Sequence, residues 1–128
     1  MRPTILTFNL SETRLAKLRF LCMKLGLTVK SVPAEDYAQS IGALCGLAEP
    51  TAATAAEAFP EEMLIFCHMD NAQVNRFLQS AKQMRWAPVA LKAILTPTNA
   101  EWTPLQLCAE LKQEREAILK GETADHKE

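Results

Sequence analysis

Four residues between Lys92 and Trp102 are of the types that bind a polar or anionic ligand. Lys92 lies in a strand-like segment, and Thr96 and Asn99 follow it in a loop that ends at Trp102. An ammonium, a hydroxyl, an amide and an indole would then converge near the N-terminus of the next helix, where the helix dipole favours negative charge. We therefore predict a site for a small anionic ligand, with these candidate ligand-binding residues: Lys92, Thr96, Asn99 and Trp102.

The same loop also has the features of a structural joint. Thr103 has the position of a helix N-cap, and Pro104 that of the first helical residue. Trp102 and Leu107 have the spacing of a hydrophobic staple. This interpretation accounts for Trp102, but it explains the polar run Thr96–Asn99 only as a side-chain-to-backbone turn. The sequence leaves both interpretations open.

No pair of residues has the arrangement of a catalytic nucleophile and its base. Cys67 and His68 are adjacent, but neighbouring side chains of a strand point to opposite faces. The sequence has no glycine-rich nucleotide-binding loop, and its four cysteines have no Cys-x-x-Cys spacing. We therefore predict no catalytic residue, no metal site and no cofactor. The alternative is an enzyme that uses His68 or a carboxylate at the end of a strand.

The elements that hold these residues come from a repeated unit. Two strand-like segments, Thr4–Leu10 and Met63–Met69, each precede a segment with apolar residues at helical spacing. Apolar positions of the first helix recur in the second at one constant offset: Leu15, Leu18, Cys22 and Leu25 correspond to Val74, Phe77, Ala81 and Met84. The predicted N-caps, Ser11 and Asp70, are related by the same offset, and Gln73 can complete a capping box with Asp70.

A repeated βαβ unit with a final helix favours an α+β fold. We predict a ferredoxin-like plait, in which an antiparallel four-stranded sheet carries helices on one face. Its second and fourth strands, Leu27–Val32 and Val89–Thr96, would lie at the edges, where Lys30 and Lys92 oppose pairing with further strands. The alternative is an α/β fold with a parallel, doubly wound sheet.

The chain length predicts one domain. We place it at residues 1–120, with a last helix from about Pro104 to Lys120 that Gly121 would stop. Residues 121–128 are polar and are predicted to form a mobile tail, in which His126 has no predicted function.

The third strand raises the question of what covers the sheet. Met63–Met69 is apolar on both faces, whereas the helices of a plait cover only one. The other face would be covered by the middle segment Pro33–Glu62, by the last helix or by a second subunit. The sequence of this middle segment indicates a short helix followed by an Ala/Thr-rich connection. A homodimer formed through the sheet and a complex with a protein partner are therefore both open predictions.

Composition excludes several classes of function. Net charge is −1, from 14 basic and 15 acidic residues, so we predict neither nucleic-acid binding nor attraction to an anionic membrane. No apolar run is long enough to span a bilayer, and the segment Met1–Leu18 lacks the continuous apolar region of a signal peptide. A cytoplasmic location is expected.

The segment from Met63 to Leu119 resembles an uncharacterised bacterial family, a small domain of unknown function. Its C-terminal signature reads Leu-Lys-Ala, two apolar residues, Thr-x-x-Asn, two residues and Trp-Thr, followed by a helix. The matching positions here are Leu91, Lys92, Ala93, Thr96, Asn99, Trp102, Thr103, Leu111 and Glu114. The resemblance implies no reaction, ligand or partner, but it adds interest to Lys92, Thr96 and Asn99.

The leading hypothesis is a non-enzymatic cytosolic module, monomeric or dimeric, that binds a small ligand or a protein partner or has a regulatory role. Asn99 and Thr96 would supply hydrogen bonds to the ligand, and Lys92 would contact its negative charge. One alternative is a structural or protein-interaction module whose behaviour depends on the apolar strand around Ile65 and Phe66. The other alternative is the enzyme that would use His68.

Overall fold

In the computed structural model, residues 2–51 and 57–125 are described, and they form a four-stranded sheet with four α-helices. The elements are, in chain order, β1 (Thr4–Phe8), α1 (Glu12–Leu25), β2 (Thr28–Ser31), α2 (Ile41–Leu44), β3 (Met63–Cys67), α3 (Asn71–Gln83), β4 (Leu91–Ile94) and α4 (Pro104–Asp125). Two single turns of 3₁₀ helix, Ala34–Asp36 and Asn99–Glu101, precede α2 and α4. The predicted Ala/Thr-rich connection lies partly outside the described residues.

The strand order is β2-β1-β3-β4, so β1 and β3 are central and β2 and β4 are edges, as predicted. β1 pairs in parallel with β2, and β3 in parallel with β4, while β1 and β3 pair antiparallel. The sheet is therefore mixed. This corrects both the antiparallel sheet expected of a plait and the parallel sheet of the alternative, although the α+β class is confirmed.

The difference from the predicted plait lies in the edges. Each edge strand here lies beside the central strand of its own βαβ unit, whereas in a plait it would lie beside the central strand of the other unit. Both arrangements bury β1 and β3 and expose one side of β2 and β4. The apolar pattern of the strands is the same in the two cases, so it does not distinguish them.

The repeat seen in the sequence is present in the backbone. β1 and β3, at Thr4–Phe8 and Met63–Cys67, begin and end at the offset that relates the two helices. Asn9 and His68, which follow these strands, both have a left-handed backbone, with φ values of 64° and 60°. The caps agree too: Ser11 accepts a hydrogen bond from the amide of the third following residue, and Asp70 forms the predicted capping box.

The ends of α1 and α3 repeat the same geometry. Gly26 follows α1 with φ of 72°, and its counterpart Arg85 follows α3 with φ of 60°. The amide of Leu27 donates to the carbonyl of Cys22 at 2.8 Å, and the amide of Trp86 donates to the carbonyl of Ala81 at 2.9 Å. Both helices therefore end in a left-handed turn of the Schellman type, with an apolar residue directly after it.

α1 and α3 cover one face of the sheet. Side chains from the two helices interleave with those of β1 and β3 that point to this face. The buried members are Ile5, Leu18, Leu21, Cys22, Leu27, Leu64, Phe66, Val74, Phe77, Ala81, Trp86 and Val89. The two repeated units thus share this half of the core.

The other face is covered by the middle segment and by α4. Its buried cluster joins side chains of all three regions: Leu6, Phe8, Val32, Tyr37, Ile41, Leu44, Phe59, Met63, Ile65, Cys67, Leu91, Leu107 and Cys108. The stacked rings of Tyr37 and Phe59, with centroids 4.8 Å apart, lie within it. The apolar sheet face that led to the dimer prediction is therefore buried within the chain itself.

Close contact between α2 and the loop before α4 depends on Gly42. A Cβ atom at this position would lie 3.0 Å from the carbonyl oxygen of Ala100. The amide of Ile41 donates to the carbonyl of Trp102 at 2.8 Å. Gly42 therefore serves close packing, and Gly46, with φ of 87°, follows the end of α2.

The last helix is longer than predicted. α4 continues through Gly121 to Asp125 instead of ending near Lys120. Glycine in a helix costs about 1 kcal/mol relative to alanine, so it stops a helix only where another conformation is better stabilised. The remainder of the predicted tail, including His126, lies outside the described residues.

Candidate functional site

The predicted site loop is closed by two hydrogen bonds between Thr96 and Asn99. The Thr96 amide donates to Oδ1 of Asn99 at 2.9 Å, and the Asn99 amide donates to Oγ1 of Thr96 at 3.0 Å. Asn99 is buried, with 7% of its surface exposed. The two side chains therefore fix the turn that follows β4, which is the role of a structural joint.

The Asn99 carboxamide also takes the place of a neighbouring strand. Its Nδ2 donates to the carbonyl of Ile94 at 3.0 Å, while its Oδ1 accepts from the amide of Thr96. The amide of Leu95 donates to Phe66 of β3, so the backbone groups of Ile94 and Thr96 point away from the sheet. Asn99 thus satisfies the last two groups of the exposed edge of β4.

Trp102 and Thr103 have the predicted capping geometry. Oγ1 of Thr103 accepts a hydrogen bond from the amide of Gln106 at 3.3 Å, so Thr103 is the N-cap of α4. Trp102 is half-buried against the cluster that contains Leu107. Its backbone carbonyl holds α2 through the amide of Ile41. These contacts give Trp102 a packing role.

The structure brings the four predicted residues to one groove. Lys92, Thr96, Asn99 and Trp102 line a groove of about 630 Å³ between α3, β4 and α4. The Lys92 ammonium donates to the carbonyl of Val89 at 2.6 Å. The Asn99 oxygen and the Lys92 ammonium each already have one hydrogen-bond partner within the protein.

His68 lies outside the strand, as its position at the end of β3 requires. Its left-handed backbone turns the ring toward α2, where Nε2 lies 3.2 Å from the carbonyl oxygen of Cys45. Arg14 binds Glu62 through a 2.6 Å contact, and Lys112 lies 2.8 Å from Glu61. A hydrogen bond from Lys112 lowers the pKa of Glu61, and a general acid would need the opposite shift.

The cysteines behave as core residues. Burial raises the pKa of the Cys22 thiol to about 12 and also raises the pKa of Cys67 and Cys108. These thiols therefore stay protonated at neutral pH, and a protonated thiol is a poor nucleophile. All four cysteines are free, with Cys45 only half-buried.

Residues 2–51 and 57–125 contain neither a metal-binding cluster of three or more side chains nor a helix that could span a membrane. Among these residues, no cluster of three or more His, Cys, Asp and Glu side chains has the geometry to hold a metal ion. None of the helices in this part of the chain combines the length and apolar character needed to cross a membrane.

A cavity that the sequence did not predict lies between α3 and β4. It has a volume of about 430 Å³, and its walls are mainly apolar. The residues that line it are Leu64, Phe77, Leu78, Ala81, Lys82, Arg85, Trp86, Ala87, Pro88, Val89 and Lys92. It adjoins the groove of the predicted site, because Leu78 and Lys92 line both.

All the charged residues that line this cavity in the described part of the chain are cations. Lys82 and Arg85 are exposed at its rim, and Lys92 enters from the edge strand. Neither Lys82 nor Arg85 has an ion-pair partner among the described residues. The cavity thus combines an apolar interior with a positive rim.

Trp86 forms a wall of the cavity that is held firmly in place. Its Nε1 donates to the backbone carbonyl of Arg14 at 3.1 Å, and the Arg14 guanidinium lies 4.3 Å from the ring centroid. The guanidinium also binds Glu62 with two hydrogen bonds and the carbonyl of Ala87 at 2.9 Å. Phe77 packs edge-on against Trp86, with centroids 6.5 Å apart. The wall is therefore formed before any ligand binds.

Arg85 occupies a backbone conformation that disfavours its side chain. A left-handed φ costs a residue with a Cβ roughly 1–2 kcal/mol, and its counterpart in the first unit is Gly26. Arginine in this position puts a guanidinium at the cavity rim. Such strain is frequent at functional sites, although Asn9 and His68 have the same left-handed backbone away from the cavity.

One sequence signal could have located the cavity. The repeat continues as far as Trp86, the counterpart of Leu27. β2 then begins at once with Thr28, but β4 begins only at Leu91. The additional residues, Ala87–Ala90, supply part of the cavity wall, so the break in the repeat was the available signal.

Comparison with known proteins finds a similarity for less than half of the chain. Residues 62–118 match a protein family described as a domain of unknown function, DUF3783. This confirms the expected resemblance to an uncharacterised domain, and the match spans β3, α3, β4 and most of α4. No curated protein and no solved structure matches the chain. All the residues that line the cavity and the groove lie within the matched segment. Arg14, which holds Trp86 in place, lies outside it.

Proposed function

We propose that the protein is a non-enzymatic module that binds a small ligand with an apolar body and an anionic end. The ligand would occupy the cavity between α3 and β4. One observation carries the proposal: an apolar cavity of about 430 Å³ whose charged lining residues are Lys82, Arg85 and Lys92. Sites for small molecules have volumes of about 300–1,000 Å³ and combine apolar walls with a few polar groups.

Apolar contact would supply most of the affinity. Burial of about 150 Å² of apolar ligand surface contributes about 4 kcal/mol at roughly 25 cal/mol per Å². Exposed ion pairs contribute only about 0.2–1 kcal/mol each, because water and salt screen them. The cations at the rim would therefore select an anion over a cation without dominating the affinity.

The predicted site residues have different roles in this proposal. Lys92 contacts the ligand, since its side chain enters the cavity from β4. Thr96 and Asn99 hold the end of that strand through their mutual hydrogen bonds. The backbone carbonyl of Trp102 holds the loop before α4 against α2. Three of the four candidates thus support the site without touching the ligand in the cavity.

Fluorescence of Trp86 tests the proposal. The chain has two tryptophans, so Trp102→Phe leaves Trp86 as the reporter in the cavity wall. Titration with octanoate, octanol and octylammonium compares three probes of one chain length that differ in charge. We expect saturable changes with octanoate and octanol, tighter for octanoate, and the weakest response with octylammonium.

Two substitutions separate the cavity from the general surface charge. Arg85→Gly removes a rim cation and should weaken octanoate several-fold while leaving octanol unchanged. Arg76→Gln removes a cation from an exposed position of α3 that does not line the cavity, so it should change neither. Absence of a saturable response to all three probes, or equal loss in both variants, would contradict the proposal.

A further inference from the structure

The exposed edge of β4 retains free positions for another strand. In the parallel pairing with β3, alternate residues of β4 point their backbone groups away from the sheet. These are the N–H and C=O of Lys92 and the N–H of Ile94, since Leu95 bonds to β3. Asn99 satisfies the carbonyl of Ile94 and so ends the free edge at that point.

The free edge lies at the bottom of the groove between α3 and α4. This groove has a volume of about 630 Å³, and α3 contributes Leu78 and α4 contributes Leu111 to its walls. Leu78 and Ile94 are 37% and 43% exposed, and Ile118 of α4, beside the same edge, is 61% exposed. Apolar side chains are therefore exposed on both sides of a strand whose outer edge pairs with no other strand among residues 2–51 and 57–125.

The two walls differ in charge. On the side of α3, Lys92 lies on the same face of β4 as Ile94, and Lys82 is its neighbour across the adjoining cavity. On the side of α4, Glu110 and Glu114 line the groove, and Arg115 adds one cation beside Ile118. A strand added at this edge would therefore be favoured by acidic side chains toward α3 and disfavoured by acidic side chains toward α4.

The same charges disfavour a second copy of the chain. If β4 paired with β4 of another copy about a two-fold axis, both Lys92 side chains would lie on one side of the continuous sheet. Like charges on neighbouring strands are destabilising. Charge complementarity instead favours a peptide in which acidic and apolar residues alternate, so that each kind faces its own wall.

We propose that β4 binds an extended segment of a partner protein as a fifth strand. Its acidic residues would face α3 and Lys92, and its apolar residues would face Leu111 and Ile118. Strand addition of this kind gains affinity from main-chain hydrogen bonds and specificity from alternate side chains. The peptide would lie in the groove and the proposed small ligand in the adjoining cavity, and Lys92 lines both.

A synthetic heptapeptide of alternating Asp and Val is the probe. Its binding is measured by titration into ¹⁵N-labelled protein, with the amide signals of Lys92 and Ile94 as reporters. We expect these two signals to shift with saturation. A heptapeptide of alternating Lys and Val should bind at least tenfold more weakly, and the Asp/Val peptide with N-methylated amides on one edge should also lose about tenfold.

One substitution tests the edge from the side of the protein. Ile94→Pro removes an outward N–H but leaves the bonds to β3, because Ala93 and Leu95 make those bonds. We expect it to weaken the Asp/Val peptide about tenfold, while Ile94→Val, which keeps the N–H, binds as the original chain does. The N-methylated peptide gives the same test with unaltered protein if Ile94→Pro does not fold.

Three results would overturn the inference. The first is equal binding of the normal and N-methylated peptides, which would show that no strand is added. The second is equal binding of the acidic and basic peptides. The third is a concentration-dependent dimer in sedimentation that Ile94→Pro abolishes, which would make a second copy the occupant of the edge.

Discussion

The two βαβ units of this protein have the same backbone but end differently. From Thr4 to Leu27 and from Met63 to Trp86, strand, left-handed residue, capped helix and left-handed exit match in position, except that α3 ends one residue earlier than α1. In the first unit β2 follows at once, whereas in the second unit the additional residues Ala87–Ala90 precede β4. The candidate cavity lies beside these additional residues.

Function can be added to a repeated scaffold at the positions where its two copies differ. At the exit of the first unit, Gly26 and Leu27 make a turn without strain, and Arg19 of α1 reaches the carbonyl of Val29 in β2 at 3.3 Å. At the exit of the second unit, the counterparts are Arg85 and Trp86, which form a rim and a wall. The matched parts carry stability, and the mismatched part carries the candidate site.

The largest expected difference between the units concerns Phe77 and its counterpart Leu18. Both are fully buried, and truncation of a buried phenylalanine to alanine costs about 3–5 kcal/mol, against about 2–5 kcal/mol for leucine. Phe77 packs on Trp86, so Phe77→Ala should also abolish octanoate binding, whereas Leu18→Ala should preserve it. Urea unfolding and Trp86 fluorescence measure the two effects.

A milder pair serves if the alanine variants are too unstable. Phe77→Leu and Leu18→Val keep most of the buried volume, and the same contrast in binding is expected. Equal retention of octanoate by both variants would mean that Trp86 does not depend on Phe77, and the role of the second unit as a preformed wall would be wrong.

The second prediction concerns the left-handed residues Asn9 and His68. Asn9 donates to the carbonyls of Phe59 at 2.6 Å and Glu61 at 2.8 Å, and it accepts from the Tyr37 hydroxyl at 3.1 Å. Its side chain thus holds the middle segment on the sheet. Asn9→His should cost about 2–3 kcal/mol, at roughly 1 kcal/mol per lost hydrogen bond.

The reverse exchange should have a small effect. The ring of His68 has one hydrogen-bond contact among the described residues, to the carbonyl of Cys45, and asparagine tolerates a left-handed backbone well. His68→Asn should therefore change stability by less than about 1 kcal/mol. Urea unfolding of both variants checks the asymmetry, and a loss at His68 as large as at Asn9 would make the two positions equivalent.

The sequence predicted well the features that depend on local chemistry. The caps at Ser11, Asp70 and Thr103 are confirmed, because capping depends on a side-chain oxygen and the next few amides. The central and edge positions of the strands are also confirmed, because burial on both faces leaves a continuous apolar run such as that of β3.

Features that depend on distant neighbours were not predictable. The pairing of β2 with β1 leaves the same apolar pattern as the pairing in a plait, so the mixed sheet was missed. The loop before α4 was identified as polar, but a sequence does not show that Asn99 bonds to Ile94 and not to a ligand. The cavity depends on where the additional residues Ala87–Ala90 pack. Arg14 of the other unit helps to place them, because its guanidinium donates to the carbonyl of Ala87.

The last pair of variants changes Gly26 and its counterpart Arg85, the left-handed residues at which the two units begin to differ. A Cβ at Gly26 would meet no atom within 4 Å, so Gly26→Ala reports the cost of the left-handed backbone alone. It should lower the free energy of unfolding by about 1–2 kcal/mol. Arg85→Gly removes the same strain from the second unit and should raise stability, by about 1 kcal/mol after the greater chain entropy of glycine is counted.

Opposite signs in urea unfolding would show that the two exits are equivalent as structure and that Arg85 is kept at the expense of stability. Weaker octanoate binding by Arg85→Gly, with octanol binding unchanged, would then show that the residue that lowers stability also binds an anionic ligand. If Arg85→Gly instead lowers stability, the guanidinium makes a structural contact that offsets the strain. The left-handed arginine would then be no evidence for a site, and the apolar walls and cationic lining of the cavity would be the remaining support.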